Sequence, residues 1–326
     1  MNINWDSKVL SSVIPVIENL EYVSIDVKKL DTESKKLVNY NFQFQSNSKP
    51  INNIDNFIRK TMLINSLNFA FTDFDSSTKY ALNDEGVIFS DSNAMVYQID
   101  SAISRGVPIL DGYFMLDITE KKFHELFSAN IAMPLATEKV NVLNEVGDVL
   151  VKNYSGDWIN FINGGPRKLY ADGDGLIERL ISNFPRFDDF SILDNKKIYF
   201  LKLAQLAFWG IHRELSDSKQ FHIEDLENMT AFADYIVPVA LEHLKITQYK
   251  PELKKKIING ELIERDSREE IELRSSTIYV TAKMTEIINK LKPENQDIYI
   301  PQLDFKLWSE FHGDEKPHHL TKTIMY

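Results

Sequence analysis

The sequence predicts a mainly α fold, a single globular helical domain over residues 1–326 with a small β element near the N-terminus. Three observations carry that expectation. Turn formers are sparse, with 12 Gly and 11 Pro in 326 residues. The apolar periodic segments are long and step by three and four residues, as one face of a helix does, rather than by two. Hydrophobic residues make up 43% of the chain, with 20 Phe, 13 Tyr and 4 Trp, enough to fill a large core.

The elements follow in chain order. Tyr22–Ile25 and Gly86–Phe89 read as short strands bounded by polar residues, and the Asn- and Ser-rich stretch Asn41–Asn56 reads as a loop. Pro134–Val151 carries a helical pattern. Asn163–Gly175 holds four of the twelve glycines and reads as a surface loop, followed by a helix at Gly175–Ser182. From Ile198 the run IYFLKLAQLAFWGIHREL is rich in Ala, Leu, Gln and Lys, all good helix formers. Two further helices are expected at Ile236–Ile246 and Ser276–Leu291. The last should stop before Lys292-Pro293, because a residue preceding proline avoids the helical region. No repeat of 20–50 residues marks a solenoid.

Charge and cysteine content narrow the function classes. The 37 Lys+Arg against 48 Asp+Glu give a net charge of −11, which argues against a surface that tracks a nucleic-acid backbone but leaves room for one nucleotide in a pocket. With no cysteine, disulfides, thiol nucleophiles and thiolate zinc sites are excluded. The start MNINWDSKVLSSVIPVIENL lacks the basic-then-apolar pattern of a signal peptide, and no apolar run is long enough to span a bilayer. The expectation is a soluble cytoplasmic protein.

Several groups could carry chemistry. Asp234 lies in Met229–Leu244, MTAFADYIVPVALEHL, among Met229, Ala231, Phe232, Ala233, Ile236 and Val237. A carboxylate in so apolar a run is costly to bury unless paired or protonated, and such groups concentrate at active sites. The plainer reading is a cap for the helix containing Pro238. Asp304 is similarly set in QLDFKLW, where the plainer reading is a core segment with one polar face. Glu269, Glu270, Glu272 and Arg274 in REEIELR read as structural, with Glu270 and Arg274 a solvated i,i+4 ion pair. Asp172-Gly-Asp-Gly175 lacks the later ligands of a calcium loop and reads as a turn before a helix. Asn163-Gly-Gly-Pro-Arg-Lys168 is no Walker loop, and neither GxGxxG nor GxSxG occurs. The seven histidines are scattered and form no HExxH.

An ordered set of blocks is more telling than any one of these. LNFAF (Leu67–Phe71), MPLATEKVNVLNEVG (Met133–Gly147), FPRFDD (Phe184–Asp189) and FLKLAQ (Phe200–Gln205) are followed by TAFADYIVP (Thr230–Pro238), EIELR (Glu270–Arg274), LDFKLW (Leu303–Trp308) and a C-terminal HxxxxIMY ending at Tyr326. In this order, over nearly the whole chain, they resemble the queuosine salvage protein family. The resemblance implies a helical fold related in shape to DNA glycosylases. It implies hydrolysis of the N-glycosidic bond of queuosine 5′-phosphate to queuine and ribose 5-phosphate, for queuine salvage into tRNA, without cofactor or metal.

It also implies roles. Asp234 matches the family's catalytic Asp, with Phe232 and Tyr235 beside it, and Asp304 and Phe305 match its base-binding pair. Phe232 and Phe305 are expected to sandwich the flat base, and Lys202 is a candidate phosphate contact. Departures from the family pattern are Asn65 for Asp, Thr72 for Trp, Lys139 for Arg, and Ser309 where an acidic residue is common at the base-binding end. The expected partner is the small-molecule substrate alone, with no direct nucleic acid and no membrane, acting on a monomer. Two other classes stand beside this one. They are a non-catalytic acidic helical interaction protein and a metal-dependent phosphohydrolase using His312 and Asp314.

Overall fold

The structure is a computed structural model and describes residues 3–43, 51–216, 221–293, 295–312 and 317–326. It is mainly helical, with fourteen α-helices and three two-stranded antiparallel sheets among the described residues. The β content is thus more dispersed than one element near the N-terminus. None of the helices in the described residues is long and apolar enough to cross a membrane.

The chain divides into two compact units, the first drawn from Met1–Ser46, Asp189–Gln205 and Glu224–Lys322. Its axis is the helix Arg268–Leu291, which begins eight residues earlier than its apolar pattern suggests. Ser267 caps it by accepting the Glu270 N–H, and it stops where Lys292 turns extended before Pro293. Residues Glu269–Ile278 are buried without interruption, including every charged one, so this N-terminal part of the helix is buried all round and not along one stripe. Helices Lys8–Ile17, Val27–Lys36, Ile236–His243 and Ile300–Phe311 pack against it or each other. Val237, Leu241, Val280, Met284, Ile288, Leu303 and Leu307 form the core between them. Strand Val23–Ile25 pairs with Thr247–Tyr249.

The second pair in this unit is a hairpin, Phe190–Leu193 with Lys196–Tyr199, and it corrects the helix expected from Ile198. Asp194 and Asn195, at φ 50° and 60°, form its two-residue loop, in the left-handed region that Asp and Asn tolerate best. Leu201, also left-handed at φ 51°, then turns the chain into the helix Lys202–Leu215.

The second unit comprises Asn47–Asp188, Leu206–Ile223 and Thr323–Tyr326. The helix Ala136–Tyr154 is its centre. Gly147 lies so close to the backbone of Leu116 and Gly112 that a side chain there would force the helix Gly112–Asp117 away. Trp158 stacks on Phe184 at 4.6 Å and meets Phe161 edge-on at 5.6 Å, an arrangement aromatic quadrupoles favour. Asp172 and Gly173 form the expected turn, and Glu178 accepts the Gly175 N–H at the start of helix Leu176–Asn183. Gly86–Phe89 belongs to a second hairpin, Ala81–Asp84 with Val87–Ser90.

Candidate active site

The segment Met229–Asp234 is non-helical backbone buried inside the first unit, so its N–H and C=O groups need partners. Side chains from three helices supply them. Gln205 accepts the Thr230 N–H at 2.7 Å and donates to Thr230 Oγ1 at 3.0 Å. Asp304 accepts the Phe232 N–H at 3.0 Å. Arg274 donates through Nε to the Ala233 carbonyl at 3.0 Å. Asp234 itself accepts the Ile236 N–H through Oδ1 at 2.8 Å at the start of the helix Ile236–His243, whose Pro238 lies in the first turn, where no N–H is needed. The N-cap position itself falls to Tyr235, so the plainer reading holds only in that Asp234, one residue earlier, meets the helix's first N–H with one of its two oxygens.

The other oxygen faces a cation. Asp234 Oδ2 lies 3.6 Å from the ammonium of Lys202, and both residues are buried. Burial pushes the Lys202 ammonium below the ordinary lysine range, with Asp234 the chief group resisting that shift. Asp304 completes the group. Its carboxyl is pushed up to about 8, first by burial and then by the negative charge of Asp234, against the Phe232 N–H and Lys202. Two carboxyls and one ammonium thus share a largely desolvated space, where each charge acts more strongly on its neighbours than it would in water.

The structure therefore brings together Asp234, Lys202, Asp304 and the backbone of Phe232. It does not gather every expected residue there. Phe305 is 38% exposed, its ring near-parallel to Trp308 at 6.1 Å. Ser309 lies five residues beyond Asp304 on the same helix, about 140° around the axis. Its hydroxyl donates back to the Lys306 carbonyl at 3.0 Å. His312 packs its ring at 4.1 Å from Trp308, and Asp314 lies outside the described residues. Among the described residues no three His, Asp or Glu side chains gather as a metal site.

The REEIELR cluster needs correction. Glu270 and Arg274 are i,i+4 neighbours at 3.5 Å, as the spacing predicts, but both are buried rather than solvated. The stronger partner of Arg274 is Asp189, held through both oxygens at 3.0 and 2.6 Å. Glu272 is also buried and accepts the backbone N–H groups of Glu21, Tyr22 and Val23. The signal available in the sequence was the continuation SSTIYVTA, with small or apolar residues on every face, which marks a stretch of helix without a solvent side.

Comparison with known proteins agrees with this arrangement of blocks. A family model described as queuosine salvage protein matches residues 47–326. The chain is 28% identical over 275 residues to the queuosine 5′-phosphate N-glycosylase/hydrolase of Mus musculus, covering 81% of this chain and 80% of that protein. It is 28% identical over 268 residues to the protein of the same name from Sphaerobacter thermophilus, with 81% and 80% covered. Against the Dictyostelium discoideum protein of that name it is 30% identical over 236 residues, with 70% and 69% covered.

Proposed function

The chain belongs to the queuosine salvage protein family, and from that premise we propose that it hydrolyses the N-glycosidic bond of queuosine 5′-phosphate, releasing queuine and ribose 5-phosphate. The observation that supports this reading best is the buried Asp234 carboxylate paired with Lys202 and flanked by Asp304.

Breaking a C–N glycosidic bond builds positive charge on the sugar in an oxocarbenium-like transition state. A carboxylate fixed beside the anomeric carbon in a dry pocket stabilises that charge or attacks it. Asp234 has an oxygen for this in Oδ2, which meets the Lys202 ammonium at 3.6 Å, while Oδ1 accepts the Ile236 N–H. Water supplies the hydroxyl that ends on the sugar and the proton that ends on the base. A 7-deazaguanine has no N7 to protonate, so the leaving base must be held by hydrogen bonds instead. Ionised, Asp304 binds and orients that base, because a carboxylate accepts the N–H donors on the edge of a guanine-type base. Phe232, buried and bonded through its N–H to Asp304, offers aromatic surface to one face of the base. A 5′-phosphate arriving beside Lys202 competes with Asp234 for the ammonium and leaves the carboxylate to the sugar.

The substrate is the free nucleotide, handled by a monomer in the cytoplasm without nucleic acid, membrane, metal or cofactor. With 48 acidic against 37 basic residues, a polyanionic tRNA meets net repulsion, whereas a single phosphate can be held locally. Binding energy from that remote phosphate is available at the transition state, so its removal lowers kcat/KM. The test compares queuine release from queuosine 5′-phosphate, the nucleoside and queuosine-containing tRNA at fixed ionic strength. The nucleotide should be the best substrate and tRNA the poorest. Equal or greater efficiency on tRNA, or no queuine from any of the three, overturns the reading.

A further inference from the structure

Asp234 and Lys202 lie on different segments of the chain, and a buried charge pair behind them sets their spacing. The Arg274 guanidinium sits bidentately on Asp189 and lies over the Phe200 ring at 3.9 Å. Its Nε holds the carbonyl of Ala233, the residue immediately before Asp234, and Nη1 also lies 3.5 Å from Glu270. Asp189 reaches the other partner, since its Oδ2 accepts the Lys202 N–H at 3.2 Å. Its backbone carbonyl accepts the N–H groups of Phe200 and Leu201 at 3.0 and 3.1 Å. Those bonds secure the left-handed turn at Leu201, an uncommon conformation for a residue with a branched side chain, from which the Lys202 helix springs. A single Arg–Asp pair therefore fixes the backbone on both sides of the Asp234–Lys202 contact.

We propose that Arg274 and Asp189 are positioning residues for glycosidic cleavage, setting the separation and aim of Asp234 and Lys202 without touching substrate. The inference rests on the reading of Asp234 as the reacting carboxylate. A buried ion pair is weak evidence of a stability role, because well-packed apolar residues often serve as well. What apolar residues cannot reproduce is a planar fork that bonds two carboxylate oxygens and a carbonyl at once. Lysine, a point charge on a flexible stem, cannot reproduce it either.

The test uses Arg274→Lys, Asp189→Asn and Arg274→Ala, each assayed on queuosine 5′-phosphate with kcat expressed per folded molecule from its circular-dichroism melt. Arg274→Lys should lose about 100-fold in kcat with KM little changed, the scale of a 1 Å misplacement of a reacting group. Millimolar guanidinium should restore kcat saturably in Arg274→Ala, while methylammonium and the unsubstituted protein show no such effect. Asp189→Asn, which keeps its shape, carries the kinetic test if Arg274→Ala fails to fold. Wild-type kcat per folded molecule in Arg274→Lys and Asp189→Asn overturns the proposal, as does guanidinium that raises only the melting temperature. If the unsubstituted protein releases no queuine, the functional reading fails instead. The crystal structure of Arg274→Lys then decides the clamp, and an Asp234–Lys202 separation still at 3.6 Å refutes it.

Discussion

Lys202 and Lys139 are both buried, and burial pushes both ammonium groups below the ordinary lysine range, yet their surroundings differ in kind. Lys202 faces the Asp234 carboxylate, with the cationic Arg274 and then Asp304 and Asp189 near enough to act on it. Lys139 donates to the backbone carbonyls of Leu67 and Phe69, sits over the Phe69 ring at 3.7 Å and the Phe71 ring at 4.8 Å, and has the cationic Arg186 nearby. One lysine is held by groups that can change charge or be displaced by a substrate anion. The other is held by carbonyls and aromatic faces that do neither. On the proposed reading, burial of a cation is therefore not what marks a reactive site. The nature of its partners is.

The largest effect should come from the carboxylate. Asp234→Asn keeps the shape and an oxygen for the Ile236 N–H but removes the charge, so kcat should fall by about a thousandfold or more while the circular dichroism is preserved. Near-normal kcat in a folded variant would remove Asp234 from the chemistry. Substituting methionine at both lysines then breaks the comparison apart. Lys202→Met should lower kcat per folded molecule by about 100-fold, as for loss of one preorganised electrostatic group. Lys139→Met should leave kcat per folded molecule unchanged and cost about 1–3 kcal/mol in a denaturant melt, because the Leu67 and Phe69 carbonyls lose their donor. A kinetic defect at Lys139 equal to that at Lys202 would erase the distinction.

A smaller effect concerns Asp304. Its carboxyl is raised to about 8 in the folded protein, and in the proposed role the ionised form accepts the base donors, so kcat/KM should rise with pH through a midpoint near that value. The stability sign is opposite. The folded state holds this proton above the unfolded range near 4, so stability present at low pH is lost as pH climbs from about 4 to about 8. Asp304→Asn should remove both slopes, and pH profiles of the variant that still show them would reassign the group. The smallest expected effect is that of EDTA. With no cysteine and no His–Glu–His spacing in the sequence, turnover should be unchanged, and metal-dependent recovery would contradict that.

How much of this was legible in the sequence depends on the distance over which each feature is decided. Asp234 is visible because an acid interrupts an apolar run, a local signal, and the ordered blocks add its match to a family. The stop of the helix at Leu291 is legible for the same local reason, a proline two residues on. The Arg274–Asp189 pair is not, because the partners are 85 positions apart and the spacing advertises the nearer Glu270 instead. The hairpin Phe190–Tyr199 is hidden by its brevity. Four-residue strands carry too few alternations to compete with the helical pattern that follows, and only the Asp194-Asn195 loop marks the turn. Lys202 stands in its block as a lysine with no sign of burial. Its contact with Asp234 comes from the left-handed turn at Leu201, which no propensity announces.

The most direct measurement incubates the purified protein and its Asp234→Asn variant with queuosine 5′-phosphate and follows all species by mass spectrometry. Cleavage at the glycosidic bond by the Asp234 site predicts queuine and ribose 5-phosphate in equal amounts from the unsubstituted protein and neither from the variant. Unchanged substrate, or queuosine appearing with inorganic phosphate, would contradict it.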